Sequence, residues 1–347
     1  MRKNNRVVKE IGSEFWDVPI SSKINNVFRD YFQWFISGRS ALQSIIKDLK
    51  NCRSVAMPSW CCDSILQPFI KAGIRIVFYP VYWEDCLIQE YNFNCDALLV
   101  MDYFGYTGLN LDLHGYQGAV IRDITHSLFS TTYSDADYFF GSLRKWCGVW
   151  TGGYAWAKDG HKLLVCDSSI NDYVAFRRNA MIKKSEYIGG KRTDKNYLEI
   201  YEQAEKYLET VGIASADERD IKLALKMDIE GVTKQRRANA EVLRTAFKDY
   251  LVFKDLNDSD CPMFVPIFVP NGKRDALRQY LVENDIYCPI HWSITNYHML
   301  DKKSLSLYEN TLSLVCDQRY SVKDMYQIVE TINSFWKGMQ QCSKYTQ

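Results

Sequence analysis

The sequence predicts an α/β protein in which a large domain, built on a mostly parallel central sheet flanked by helices, precedes a small αβ C-terminal domain. Three observations predict it. From about Ser37 to Trp156 short apolar runs alternate with amphipathic stretches, the rhythm of βα units. From about Asp172 to Lys248 the chain turns charged and helical, and after about Leu251 strand and helix patterns alternate once more. At 347 residues the chain is long enough for one large domain and a smaller one. The expected division is an N-terminal segment 1–36, a large domain 37–245 and a small domain 246–347.

Taken in order, Ser40 to Leu49 places Leu42, Ile45, Ile46 and Leu49 on one face of a helix. Candidate strands of the large domain follow at Ser54 to Met57, Ile74 to Tyr79, Ala97 to Met101, Ala119 to Arg122, Tyr138 to Gly141 and Gly153 to Ala157. Between the first two, Ile65, Leu66, Phe69 and Ile70 fall at helical spacing. The polar stretch Gly189 to Lys195 reads as a surface loop between helical segments. The small domain is expected to hold strands at Met263 to Val269, Tyr287 to Pro289 and Leu312 to Cys316, with helices at Lys273 to Asn284 and Val322 to Phe335.

Charge is balanced, 43 basic against 42 acidic residues, which gives no electrostatic reason to expect nucleic acid or a membrane surface as a partner. No apolar run approaches a membrane span, and the N-terminus, from Met1 to Asn5, leads into polar sequence, so a cytoplasmic protein is expected. The eleven cysteines are odd in number and scattered through apolar runs rather than set in a secreted framework. Without a CxxC pair or zinc spacing, no metal site is expected.

Four stretches carry chemistry when read together: Ser37-Gly38-Arg39-Ser40-Ala41-Leu42, Asp123-Ile124-Thr125-His126, Ser142-Leu143-Arg144-Lys145 and Gly152-Gly153. The first opens a helix with a small hydroxyl-bearing turn. Free backbone N–H groups and the helix dipole can hold a phosphate dianion there, and Gly38 permits close approach. Alone, Ser37 or Ser40 reads as an ordinary helix cap.

Asp123 follows an apolar run and so stands at the C-terminal end of a strand, where open α/β sheets bind ligands. A carboxylate there pairs with a protonated pyridine nitrogen and keeps the ring an electron sink. His126 is placed either to stack near such a ring or to hydrogen-bond its phenolic oxygen. Lys145 lies beyond the next strand; in a ligand pocket its amine loses its proton more readily and attacks a cofactor aldehyde to form a Schiff base. Ser142, three residues before it, is a candidate phosphate contact. Singly, Asp123 also reads as a turn former, His126 as a structural residue and Arg144-Lys145 as a solvated basic pair.

In this order the motifs resemble the DegT/StrS family of sugar aminotransferases, a branch of the fold-type-I pyridoxal 5'-phosphate (PLP) enzymes, from Ser37 to about Phe335. The family's S-G-T-x-A-L turn is matched with Arg39 in place of threonine, Ser40 supplying the hydroxyl. Its D-x-x-Q/H motif corresponds to Asp123 and His126, and Lys145 keeps the usual distance before the double glycine. Pro58-Ser59-Trp60 resembles the stretch that lays an aromatic ring on PLP, which makes Trp60 the stacking candidate. Arg237 to Ala240, Pro289-Ile290-His291 and Cys316 to Tyr320 look like small-domain landmarks. Phe140 stands where the family's phosphate serine is common, so Ser142 is its substitute. The family's G-x-N-x-R segment has no clean equivalent between Asn171 and Tyr201.

The resemblance implies the fold-type-I architecture, PLP as cofactor, and transamination from glutamate or glutamine to a keto group of a nucleotide-linked sugar, in surface polysaccharide or glycoside biosynthesis. It also implies a homodimer. The catalytic residues would be Lys145, Asp123 and His126; Gly38, Arg39, Ser40, Trp60 and Ser142 would join them in holding the cofactor. Other PLP chemistry on the same fold, and a non-catalytic sugar-nucleotide or partner-binding role, are the alternatives.

Overall fold

The computed structural model of the protein describes residues 10–344 with the exception of 92–93, 108–110, 112, 114, 131–134 and 168–169. The run from Met1 to Asn5, on which the N-terminal expectation rested, lies outside the described residues. In chain order the first part comprises β1 (Ile11–Gly12), β2 (Gln33–Phe35), α1 (Gly38–Asp48), β3 (Ser54–Pro58), α2 (Asp63–Lys71), β4 (Arg75–Tyr79), β5 (Val81–Glu84), β6 (Cys86–Gln89), β7 (Ala97–Met101), β8 (Ala119–Asp123), β9 (Tyr138–Ser142) and β10 (Gly153–Ala157). Helices α3 (Asn171–Ile188), α4 (Tyr197–Thr210), α5 (Glu218–Leu225) and α6 (Ile229–Ala246) follow. Then come β11 (Phe264–Phe268), α7 (Arg274–Glu283), β12 (Ile286–Tyr287), α8 (Lys302–Asn310), β13 (Thr311–Val315) and α9 (Val322–Lys344).

The expected mostly parallel sheet is present, in the order β2-β10-β9-β8-β7-β3-β4. Only β10 among these strands runs against its neighbours. Every residue of β3 and β7 is buried, as befits central strands covered on both faces. The C-terminal ends of β3, β8 and β9 therefore open on one edge, the ligand-binding edge of an open α/β sheet.

Helix α1 starts where Ser37, in extended conformation, turns its hydroxyl onto the amide of Ser40 at 3.2 Å. Its buried face of Ala41, Leu42 and Ile45 packs on the sheet, in a core that also takes in Leu98, Leu99, Ile121 and Tyr154. A second apolar cluster joins Val265, Ile267, Leu277, Leu281, Leu312, Leu314 and Ile328. It also takes in Ala240 and Leu243 of α6, and Ile11 from the start of the described chain.

Ile11 reaches that cluster because β1 pairs in parallel with β12, and the hydroxyl of Tyr320 both accepts from the Gly12 amide and donates to its carbonyl. The chain then crosses to the loop before β10 and the start of α6, where the Asp17 carbonyl accepts from Gly148 at 2.7 Å and that of Pro19 from Asp228 at 2.9 Å. This strap went unread in the sequence, as did the β5–β6 hairpin, which turns on Asp85 at φ 59°, and helix α8. The polar loop after α3 is only partly solvated: Lys195 folds inward onto Glu10 at 3.0 Å and the Tyr287 hydroxyl at 2.9 Å.

Candidate active site

A cavity of about 530 Å³ lies at the C-terminal edge of the sheet, walled by His126, Arg144, Lys145, Arg177, Glu205 and His291, and by the strap at Gly12–Phe15. Residues from the second apolar cluster's elements, among them Tyr287, Pro289 and Val315, close the opposite wall.

Strand β9 ends at Ser142, and a single 3-10 turn, Leu143–Lys145, brings Lys145 to the cavity wall. Its amine makes no hydrogen bond or ion pair with the described residues, so it is available to a ligand. Strand β8 ends at Asp123, whose Oδ1 accepts from the Thr125 amide at 2.8 Å. No Lys, Arg or His nitrogen among the described residues lies within ion-pair distance of this buried carboxyl. Burial lifts it to about 6, with Thr125 and Lys145 pulling the other way.

His126 stacks on Phe104 at 4.9 Å between ring centroids and on Trp292 at 5.7 Å. Its Nδ1 is buried without a hydrogen-bond partner. Burial, with His291 and Lys145 nearby, holds its pKa far below the ordinary imidazole value, so the ring is neutral. His291 enters from the opposite wall, its Nδ1 2.9 Å from the Ser313 hydroxyl, and burial brings it to about 3. Two neutral imidazoles thus flank Lys145.

The turn at Ser37 meets the same edge. A Cβ on Gly38 would touch the Gly141 carbonyl at 3.2 Å and the Ser142 side chain at 3.4 Å. One on Gly153 would sit 2.0 Å from the Ser37 carbonyl, so both glycines permit this close docking. The Ser142 hydroxyl is buried there without a partner, beside the first amides of α1, which have no helical acceptor. A buried hydroxyl, open amides and a helix N-terminus together suit a phosphate.

The other expected contacts are arranged differently. The Ser40 hydroxyl turns away, donating to the Ala214 carbonyl at 3.3 Å and accepting from its amide at 2.9 Å. Arg39 is half-buried and, like Gly38, Asp123 and Ser142, does not line the cavity. Trp60 is fully buried, stacked on Tyr103 at 5.0 Å, with Nε1 donating to the His291 carbonyl. It meets Trp292 edge-on at 5.5 Å and does not line the cavity.

No protein-family model and no curated protein matches the sequence. Solved structures do match it. Spr1654 of Streptococcus pneumoniae, in its PLP form, superposes with a TM-score of 0.61 at 13% identity, over 94% of this chain and 98% of its own. Helicobacter pylori PseC, an aminotransferase involved in the biosynthesis of pseudoaminic acid, gives 0.63 at 13% identity over 94% and 100%. A DegT DnrJ EryC1 StrS aminotransferase from Brucella abortus gives 0.56 at 15% over 88% and 85%.

The fold is that of these aminotransferases. At such identities the likeness carries the fold alone, so any activity must be argued from the cavity. In that fold, the arginines of the wall and the strap at Gly12–Phe15 are site features that sequence reading missed. Arg144 bonds Glu205 of α4 at 2.7 Å and the Tyr173 hydroxyl of α3 at 2.8 Å, contacts between distant helices that no local spacing announces. The adjacency of Arg144 to Lys145 was the only signal.

Proposed function

We propose that this chain is a PLP-dependent sugar aminotransferase of the DegT/StrS type. The observation that carries the reading is that the neighbouring strands β8 and β9 end at Asp123 and at the unpartnered Ser142 hydroxyl, just before His126 and Lys145 of the cavity wall. Each of these groups lacks something that PLP has. Ser142, with the Gly38 and Arg39 amides, would hold the phosphate; Asp123 would face the ring nitrogen; His126 would lie against the ring or its phenolic oxygen. When bound, PLP would supply the electron sink that makes the donor's α-hydrogen acidic.

The chain's own residues would do the rest. Asp123, buried and without a cation of its own, gains most by an N–H partner and so would fix the ring nitrogen in its protonated form. Lys145 stands on a short turn at the cavity wall, where its free amine would take the proton from the donor's α-carbon and, in the reverse sense, deliver one to the acceptor's carbonyl carbon. Neutral His126 and His291 add no charge to the wall beside that amine.

The finer reading takes glutamate or glutamine as donor and a nucleotide-linked keto-sugar as acceptor, in a cytoplasmic homodimer serving polysaccharide or glycoside biosynthesis. It also keeps the division into a segment 1–36, a large domain 37–245 and a small domain 246–347. The test is a half-reaction: protein loaded with PLP and given glutamate should release about one equivalent of 2-oxoglutarate per site, and Lys145→Ala should release none. Failure of the wild type to bind PLP would leave a binding protein on this fold.

A further inference from the structure

Asp102 brackets the segment that carries the candidate acid and its neighbouring imidazole. It follows β7, and its amide donates to the Asp123 carbonyl at 3.0 Å, which holds the start of segment 123–127. Its Oδ2 accepts from the Ser127 hydroxyl at 2.6 Å, which holds the end. Oδ1 of the same carboxylate pairs with Arg122, the residue before Asp123. Asp123 and His126 therefore lie within a stretch fixed at both ends by one residue that does not itself line the cavity.

Stability alone does not account for this pair. The Arg122 and Asp102 side chains are only 4% and 9% exposed, and the Arg122 Nε is buried without a partner. Taking such a pair out of water offsets most of its attraction, and apolar side chains of like size often serve a core as well. What the charged pair adds is direction. Arg122 holds Oδ1, which leaves Oδ2 turned to the buried Ser127, and a hydrogen bond to a carboxylate is stronger than one to a neutral group.

The middle of the segment is tied to the strand that leads to the amine and to its neighbour. The Ile124 amide donates to the Phe140 carbonyl at 2.9 Å, and the indole of Trp146, directly after Lys145, donates to the Thr125 carbonyl at 2.7 Å. The His126 ring makes no hydrogen bond to a described residue of its own, only stacking contacts with Phe104 and Trp292. Its place is set by the backbone on either side, and the Ser127 hydroxyl secures the side beyond it.

We propose that Asp102 is a positioning residue of the cofactor site: through Ser127 it sets the backbone of segment 123–127, and with it the places from which the Asp123 carboxyl and the His126 ring meet the cofactor. The inference rests on the PLP reading above. Asp102 and Ser127 have no contact with the cofactor in it and no share in proton transfer. A carboxyl that meets the ring nitrogen and an imidazole that lies against the same ring work only while their spacing is held, which is the task of a rigid supporting shell.

The experiment titrates PLP into wild type, Ser127→Ala and the paired variant Asp102→Leu with Arg122→Met, recording the visible band, the circular dichroism induced in that band, and thermal melting. Ser127→Ala keeps the ion pair and removes the bond to the segment; the paired variant removes the acceptor without stranding a buried cation. Each should bind PLP about fivefold more weakly than wild type, or worse, and lose most of the induced dichroism, which reports how the ring is held. The paired variant should nonetheless melt no lower than wild type, which separates positioning from stability. Wild-type affinity and dichroism in Ser127→Ala overturn the proposal, as do wild-type values in a paired variant that folds. Should the paired variant fail to fold, Ser127→Ala decides alone. A wild type without the visible band sinks the PLP reading and this proposal with it, whereas a normal wild-type band beside an unaltered Ser127→Ala sinks the proposal only.

Discussion

The side-chain amide of Gln318 donates to the backbone carbonyl of Trp146 at 2.7 Å, so the loop after β13 grips the residue that follows Lys145. Arg236 completes the clamp, donating from Nε to Gln318 at 2.7 Å while its guanidinium lies 4.6 Å from the centre of the Trp146 ring. Elements of both apolar clusters thereby fix the short turn that carries the candidate catalytic amine. Gln318→Ala removes two hydrogen bonds and leaves the Trp146 carbonyl and the Arg236 Nε short of partners. It should lower the unfolding free energy by about 1–3 kcal/mol, read from urea denaturation. A midpoint unchanged from wild type would show that the clamp bears no strain.

Gly153 and Gly212 make a matched pair. A methyl group at Gly153 collides with the Ser37 carbonyl and crowds the Gly38 amide, whereas one at Gly212 meets nothing within 4 Å. Gly153→Ala should cost more than about 2 kcal/mol and weaken PLP binding, because the phosphate turn must move. Gly212→Ala should be neutral or stabilising by up to about 1 kcal/mol. Thermal melting of the two variants side by side decides it, and equal midpoints would contradict the docking described.

Burial lifts the Asp123 carboxyl from its ordinary 3.8 to about 6. A group raised in the folded state contributes stability that is present below its ordinary value and lost as pH rises through about 6. Asp123→Asn removes that loss. In the absence of cofactor it should therefore be more stable than wild type by about 3 kcal/mol at pH 8, with little difference at pH 4. Denaturant midpoints at the two pH values test this; a gain at pH 4 as large as at pH 8 would argue against ionisation as the cause.

Lys184 of α3 is fully buried and paired with Glu10, which Lys195 also reaches, at the foot of the strap. Glu10→Gln strands a buried ammonium and should cost about 3–5 kcal/mol, and the double variant Glu10→Gln with Lys184→Met should recover most of it. Circular dichroism against urea measures both. If the double variant were as unstable as the single one, the cost would lie in the strap's packing rather than in the stranded charge.

Much of this architecture is legible in the sequence where a single element reports on itself. The runs of β7, β8, β9 and β10 are short, apolar and bounded by polar turns, so each announces a strand, and Asp123 announces the end of β8. What escapes is made by contacts between distant segments. Ile11 and Gly12 carry no strand signal of their own and become β1 only because β12 offers them an edge. The Ser40 hydroxyl looked available for phosphate because nothing nearby in sequence revealed the Ala214 backbone, 174 positions away, that consumes it. Arg177 sits within a charged helix as one cation among many; its approach to Glu205 of α4, at 3.7 Å, exists only after α3 and α4 pack.

The central claim is that Lys145 faces a site shaped for PLP. Its most direct test is the absorption spectrum of the purified protein with added PLP, in wild type and in Lys145→Ala. The account predicts a visible band in wild type that is missing from the variant and bleaches when glutamate is added. A wild-type spectrum that merely sums protein and free PLP would contradict it.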